Sequence, residues 1–595
     1  MNKISLKSLH LCGQSGQLAE RIIHNWLIGI RETNPAILDM LRDRDFLPYR
    51  DLLPWSGEFT GKYLTSCAYM YQLTGDAELY QYIVRFVDEL LTYQAPDGYL
   101  GCFAKDCHLT GAYSQNPAHT GLTWDSWAHY HMMVGLLLWY DLTQNESYFR
   151  AVEKIAALYM QKFYDGKPAL ISIGSTEMNL AVYHVFGMLY RRTKNPAYLY
   201  FAKKVEGDLA DPTAGDYINY ALNGYEYYQC LKPRWESMHI IMGIAEMYRN
   251  TGNDKYLEAV SQIFYSILKT DVHNTGAFST DEQAIGNPYR NSNIETCCVV
   301  AYNALGVEIF ALTGDLKVAD FLERSHYNAV LGYNSPSGRW STYNTPMEGV
   351  KCANYHSIVF QCRPGSPELN CCSVNAPRGV AMIADWMLTE NDGNLCINFY
   401  EALHAQLEDG TTVDIMGDYP AENIVRIQIN TQGARKKVLF RIPAWSKNTV
   451  ISSNGEQFHP TAGQYFAIKK AWNDEITIAF DFTPYTEDGG LDTLYIGDQQ
   501  DNAPGLPQLL HENSDYRGKK SIYVGPILYG LDNGDNHKID FQNIPAVSHD
   551  ALMAAKPTRQ ADGSIHLCVE QLLLKDFYHL GVSGAPYKTW LTVRK

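Results

Sequence analysis

One phrase returns five times along the first half of the chain and constrains the fold more than any other feature. An aromatic residue closes an apolar stretch of helical period, a threonine follows three residues later, and an Asp or Asn stands two residues after the threonine. The instances are Tyr71-Gln72-Leu73-Thr74-Gly75-Asp76, Tyr140-Asp141-Leu142-Thr143-Gln144-Asn145, Tyr190-Arg191-Arg192-Thr193-Lys194-Asn195, Tyr248-Arg249-Asn250-Thr251-Gly252-Asn253 and Phe310-Ala311-Leu312-Thr313-Gly314-Asp315. Gly75, Gly252 and Gly314 suit the left-handed conformation that ends a helix, and Asp76, Asn145, Asn195, Asn253 and Asp315 suit the cap that starts the next. Each phrase therefore predicts a helical hairpin. The threonines are 69, 50, 58 and 62 residues apart, room for one helix pair per unit with far loops of varying length. Helices near 16–31 and 376–389 supply a sixth pair from the two ends of the region. Six hairpins closing on themselves make an (α/α)6 barrel. An open solenoid is the competing arrangement, and the irregular spacing with one loop rich in reactive residues favours closure.

After about residue 390 the apolar period falls from 3.6 to 2. Val425, Ile427 and Ile429 alternate with polar residues, as do Val438, Phe440 and Ile442, and then Ile476, Ile478, Phe480 and Phe482. Turn pairs such as Asp409-Gly410 and Asn454-Gly455 break these runs at short intervals. The expected class is α+β multidomain: an N-terminal segment 1–14 placed to pair with the sandwich, an (α/α)6-barrel catalytic domain over 15–389, and a β-sandwich region over 390–595 that has room for two sandwiches.

Charge narrows the partners. With 49 basic and 65 acidic residues the chain carries a formal charge of −16, which repels phosphate backbones and anionic lipid, so neither nucleic acid nor a membrane is an expected partner. No run of 18 apolar residues and no apolar segment near the start suggest a span or a secretory signal, and the expected location is cytoplasmic. The 13 cysteines cannot all pair with one another. Scattered ones such as Cys67, Cys230, Cys396 and Cys568 read as small buried apolar residues of a reduced protein. The 42 tyrosines and 11 tryptophans suit stacking against sugar rings, and they also leave room for a homodimer interface.

Two short segments crowd metal-ligand types together: Asn293-Ile294-Glu295-Thr296-Cys297-Cys298 and Asn370-Cys371-Cys372-Ser373-Val374-Asn375. One carboxylate with three or four soft thiolates suits tetrahedral Zn²⁺. Neighbours one or two apart do not share a helix face, so both segments are expected to be loops or first turns, the second capped by Asn375 with Pro377 following. Thiolates at helix N-termini are stabilised by the dipole, and a metal lowers their pKa further. Two other readings stay open on the residues alone: four unrelated core cysteines, or a purely structural zinc.

The Glu-Thr-Cys segment followed by Cys-Cys-x-x-Asn resembles the signature of glycoside hydrolase family 127, the β-L-arabinofuranosidases, and of the related family 146. Gln94-Ala95-Pro96-Asp97-Gly98-Tyr99-Leu100, Leu322-Glu323-Arg324, Arg441-Ile442-Pro443-Ala444-Trp445 and Gly525-Pro526-Ile527-Leu528-Tyr529 agree in order along nearly the whole chain. The resemblance implies an (α/α)6 barrel followed by β-sandwiches, and zinc ligands at Glu295, Cys297, Cys371 and Cys372. It further implies a cysteine nucleophile at Cys371, an acid/base glutamate at Glu282, further active-site positions at Glu323 and Tyr343, and sugar-contacting histidines at His131 and His239. Trp55 and Glu58 are further pocket candidates. Departures are Ser373-Val374 where the family has two prolines, Leu369 two residues before the nucleophile, and Ser175 where a further sugar-contacting histidine is expected.

These groups suit retaining hydrolysis of a terminal β-L-arabinofuranose or related sugar from an oligosaccharide or glycoside: a zinc-held Cys371 attacks, while Glu282 protonates the leaving oxygen and then activates water. A sugar isomerase or epimerase on the same barrel, which would rely on histidine proton transfer, and a non-catalytic sugar-binding protein with structural zinc are the alternatives.

Overall fold

The computed structural model describes residues 1–112, 121–353, 368–490 and 516–594. All five phrases are hairpins, and the hydrogen bonds explain their composition. The helices concerned are α1 (Gln14–Ile22), α2 (Glu58–Thr74), α3 (Ala77–Thr92), α4 (Asp125–Thr143), α5 (Glu146–Lys162), α6 (Val182–Thr193), α7 (Pro196–Leu209), α8 (Ser237–Thr251), α9 (Asp254–Thr270), α10 (Thr296–Thr313), α11 (Leu316–Ser325) and α12 (Cys371–Ala381). In every phrase the threonine hydroxyl donates to the carbonyl four residues back and accepts the N–H of the capping residue two ahead. The Asp or Asn side chain then accepts from the first turn of the next helix. Gly75, Gly252 and Gly314 are left-handed as expected; Gln144 and Lys194 adopt the same conformation at the two turns without glycine.

One helix of each pair lies inside. Helix α2 packs on α4, α4 on α6, α6 on α8, α8 on α10, α10 on α12, and α12 back on α2. Helix α10, long and apolar enough by composition to span a membrane, is a core helix of this ring. Helices α2, α4 and α10 are buried on nearly every face, so their apolar residues form no stripe.

The last inner helix starts earlier than the sequence suggests. Asn370, not Asn375, is the cap: its side chain accepts the Ser373 N–H at 2.9 Å while the Ser373 hydroxyl oxygen accepts the Asn370 N–H at 3.1 Å. Cys371 and Cys372 are thus the first two residues of α12, and Pro377 sits inside it. Proline there leaves the Ser373 carbonyl without its helical donor. The Trp26 indole N–H fills that place at 2.8 Å. The helix ends at Ala381, and Leu388 opens a strand where the periodicity had extended the helix to 389.

The β part forms two large sheets. The first has ten strands, with the long antiparallel pair Ile424–Arg441 and Tyr465–Ala479 at its centre. Its edges include Asn2–Lys3, paired with Leu388–Asn391, and Leu6–Leu11, paired with Leu403–Leu407, so the chain start is woven into this sheet. The second, of seven strands, includes Tyr485–Asp488, Lys520–Val524, Ile527–Asp532 and Leu572–Asp576. Of the scattered cysteines, Cys67, Cys230 and Cys396 are buried and Cys568 is exposed.

Candidate active site

The reactive side chains converge because all sit within the first two turns of the inner helices, or just before them. Helix α2 brings Glu58 and Lys62, α4 brings Trp127, Tyr130 and His131, α6 His184, α8 His239, α10 Cys297 and α12 Cys371 and Cys372. Trp235 and Glu236 immediately precede α8, and Glu295 precedes α10. The positive ends of these helices favour anionic groups at this end of the ring.

Glu295, Cys297, Cys371 and Cys372 are all buried, and one donor atom from each lies within 4.8 Å of the others. The Glu295 carboxylate is 3.6 Å from Cys371 Sγ and 3.3 Å from Cys372 Sγ; Cys372 Sγ is 3.8 Å from Cys371 Sγ and 3.7 Å from Cys297 Sγ. Glu295 stands at the cap position of α10 yet makes no capping bond, its carboxylate turning instead to the thiols. This set could hold a metal ion. Its electrostatics point the same way. Burial, then the charges of Glu282 and Cys297, push Glu295 well above the usual carboxylate range. Burial likewise pushes Cys371 and Cys372 up. Cys297 is held down against burial by hydrogen bonds from the other two thiols and by Lys62, whose ammonium is 3.9 Å away.

Lys62 is fully buried, paired at 2.9 Å with Glu58 and lying over the rings of Trp235 and Trp127 at 4.9 and 5.5 Å. Glu58 also accepts from the Trp127 indole, and burial pushes it to about 7. Tyr343 places its hydroxyl 3.7 Å from Cys371 Sγ, and its carbonyl accepts the Thr296 N–H at the start of α10.

The Tyr130 hydroxyl bridges Nδ1 of His184 and Nδ1 of His239, at 3.0 and 2.9 Å. A hydroxyl donates to one acceptor while accepting from another. One of the two histidines therefore turns an N–H outward through Nε2, and the other a lone pair. Among the described residues, Nε2 of His239 and Nε2 of His131 are buried without protein partners, which suits them to a ligand's hydroxyls. Burial holds both imidazoles far below their ordinary value, with Lys62 and Arg378 adding to it, so they are neutral.

Glu282 lies on the loop leading to α10. It and Asp281 are both left-handed, at φ +68° and +47°, a costly conformation for non-glycine residues. Its carboxylate accepts from Arg234 at 2.7 Å, and its side chain is 31% exposed, in contrast to the buried donors of the cluster. Ser175, where the resemblance expects a histidine, is left-handed at the start of a short helix.

Glu323 requires a correction. It is fully buried on α11 against the β part, where Arg441 lies 2.8 Å from its carboxylate and the Tyr419 hydroxyl and Trp445 indole donate to it at 2.7 and 3.2 Å. Its acceptors are taken by residues of the domain junction, and it does not join the cluster.

Lys62, Tyr130, Trp235, Arg234 and Glu236 escaped the sequence reading. A signal existed for the first: Glu58 and Lys62 stand one turn apart on a helix with no polar face.

The sequence matches the family model described as the β-L-arabinofuranosidase GH127 catalytic domain over residues 43–385, and that of the GH127 middle domain over 394–483. The first match alone spans more than half of the chain. The chain belongs to glycoside hydrolase family 127. This member is accordingly a glycoside hydrolase. Its fold is similar to a solved GH127 β-arabinofuranosidase with a TM-score of 0.74 at 18% identity, over 100% of this chain and 98% of the other. It is also similar to a GH127 β-L-arabinofuranosidase from Geobacillus stearothermophilus T6 with a TM-score of 0.73 at 16% identity, over 99% and 100%. Comparison with curated proteins gives no match.

Proposed function

We propose that this GH127 enzyme is a retaining, exo-acting hydrolase that releases a terminal β-L-arabinofuranosyl unit or a closely related sugar. Cys371 is the nucleophile, Glu282 the acid/base, and Zn²⁺ the ion held by Glu295, Cys297, Cys371 and Cys372. The observation that carries the reading is the spacing of the four donors. A tetrahedral zinc with Zn–S of about 2.3 Å and Zn–O of about 2.0 Å separates its ligands by roughly 3.8 Å between sulfurs and roughly 3.5 Å between sulfur and oxygen. Two of the sulfur pairs here are 3.7 and 3.8 Å apart and two of the sulfur–oxygen pairs 3.3 and 3.6 Å, with all four donors within 4.8 Å of one another. Donor chemistry supports zinc, since a set dominated by three soft thiols suits it while calcium and magnesium take oxygen ligands.

The helical region, proposed as 15–389, reads as an (α/α)6 barrel on the cyclic packing of its inner helices. The proposed 390–595 region reads as two β-sandwiches built on its two large sheets.

When bound, zinc keeps the sulfurs ionised at neutral pH. Cys371 Sγ attacks the anomeric carbon, forming the C–S bond as the C–O bond breaks, and Glu282 gives its proton to the departing oxygen. Glu282, now a carboxylate, takes a proton from water as that water attacks the same carbon and returns the sulfur as thiolate. Two displacements preserve the anomeric configuration. Tyr343 flanks the sulfur, Lys62 balances the charge gathered on Cys297, and the neutral His131 and His239 offer hydrogen bonds to sugar hydroxyls. Enclosure by six helix ends suits one terminal ring.

The test joins three measurements on one preparation: zinc per chain, turnover of para-nitrophenyl β-L-arabinofuranoside, and the configuration of the first-formed product by NMR. Stoichiometric zinc, retention, and a glycosylated Cys371 peptide trapped at short times are expected. Inversion, or undiminished turnover by Cys371→Ser, overturns the reading.

A further inference from the structure

The turn before α8 and the loop before α10 are locked together. Arg234 and Gln283 form an isolated bridge, the Trp235 N–H donates to the Glu282 carbonyl at 3.1 Å, and the Ala284 N–H donates to the Pro233 carbonyl at 2.9 Å. On this frame the Arg234 guanidinium is shared between two acids. Its Nε and Nη2 engage both oxygens of Glu236 at 3.0 and 2.8 Å, and Nη2 also reaches Oε2 of Glu282 at 2.7 Å. Glu236 is 1% exposed, whereas Arg234 and Glu282 are 27% and 31% exposed. The buried acid thus takes the two-pronged bond, and the reactive one takes a single end-on contact. Among the described residues no other side chain hydrogen-bonds the Glu282 carboxylate, so Oε1 is left for substrate.

A guanidinium alone beside a carboxylate favours the ionised form by about 1–3 pKa units, which works against a group that must deliver a proton. Glu236 is the strongest electrostatic partner of Arg234, ahead of Glu282. The other charged or titratable groups acting on this corner are Glu295, at the start of α10, and Tyr343; Cys298 on α10 also senses Glu282.

Resting on the reading of Glu282 as acid/base, we propose that Arg234 is a positioning residue that aims Glu282 at the leaving oxygen. Glu236 anchors Arg234 through the two-pronged bond, which leaves a single guanidinium edge to hold the Glu282 carboxylate end-on.

The experiment compares Glu236→Gln, Arg234→Met and Arg234→Lys on two glycosides of the same sugar. Methyl β-L-arabinofuranoside needs a proton on its leaving group; the para-nitrophenyl glycoside needs it far less. For Glu236→Gln, kcat/KM is expected to fall at least ~10-fold more on the methyl than on the para-nitrophenyl glycoside, consistent with the ~10²–10⁴-fold worth of general acid catalysis. Arg234→Met shows the same substrate split, and Arg234→Lys recovers part of the methyl glycoside rate. Zinc content and thermal midpoint are recorded for each. Equal losses on both substrates in folded variants overturn the proposal and leave only a structural ion pair. Glu282→Gln is the control: if it hydrolyses the methyl glycoside normally, the underlying reading of Glu282 has failed instead.

Discussion

Two carboxylates, Glu295 and Glu323, are both buried in this protein, and their surroundings are opposites. Glu323 meets Arg441 across the junction between helices and sheets, with Tyr419 and Trp445 donating to the remaining lone pairs and Asp320 sharing the arginine at 2.6 Å. Glu295 meets three thiols, groups that become anions themselves, and its nearest charged carboxylate, Glu282, repels it. A buried charge is tolerated only when paired. The junction supplies its own cation; the cluster instead gathers acids within 4.8 Å of one another, with Lys62 as a countercharge beside Cys297. Burial and residue type do not separate a structural acid from a functional one, and the sign of the neighbours does.

The sharpest way to break this contrast is Cys371→Ser. Turnover of the para-nitrophenyl glycoside should fall by more than about 10³-fold, in line with the loss of a nucleophile, while circular dichroism reports a folded chain. Next is removal of the metal. Dialysis against a chelator should abolish activity in proportion to zinc lost and lower the thermal midpoint, and added Zn²⁺ should restore both; a chelated enzyme with full activity would separate the cluster from catalysis. The junction should behave the other way. Arg441→Met leaves the buried Glu323 and the half-buried Asp320 without their cation and should destabilise by about 3–5 kcal/mol in denaturant titration. Glu323→Gln should lower stability while the folded fraction keeps its turnover, and a loss of kcat at unchanged stability would return Glu323 to the active site.

The smallest effect concerns a third case, a half-buried cation hydrogen-bonded to carbonyls rather than to a carboxylate. The Lys351 ammonium donates to the carbonyls of Phe577 and Tyr578 at 3.0 and 3.1 Å, and burial lowers it to about 7. Between that value and its ordinary 10.5 the unfolded chain holds a proton that the folded chain does not. Stability from this group therefore rises with pH across that window, by at most about 1.4 kcal/mol per unit. Lys351→Met should flatten the slope of unfolding free energy between pH 7 and 9 relative to the wild type.

The hairpins were legible because their signals are local. A threonine, a left-handed turn residue and a capping Asp or Asn satisfy one another within six positions, and all five turns do so. The metal-ligand types were legible for the same reason, as two compact segments. The start of α12 was not: Pro377 argued for an early position in the helix, and the Trp26 indole that makes it acceptable further along comes from the other end of the chain. Glu323 misled because a family-like tripeptide says nothing about which arginine will face it from a strand more than a hundred residues away. Arg234 and Glu236 gave no signal, since an arginine near a helix start is ordinary until Glu282 is folded against it.

The order of residues alone determined where the five hairpin turns fall, where period 2 replaces period 3.6, and which side chains were chemically able to ligate or attack. These depend on interactions within a turn or a strand, short enough in range to be written in consecutive positions. Tertiary structure decided which of the buried acids share a cluster, which one meets an arginine, and which thiol lies against Lys62. Those outcomes are set by Coulomb interaction and desolvation among groups from six helices and a sheet, and such energies exist only once folding has removed the water between them.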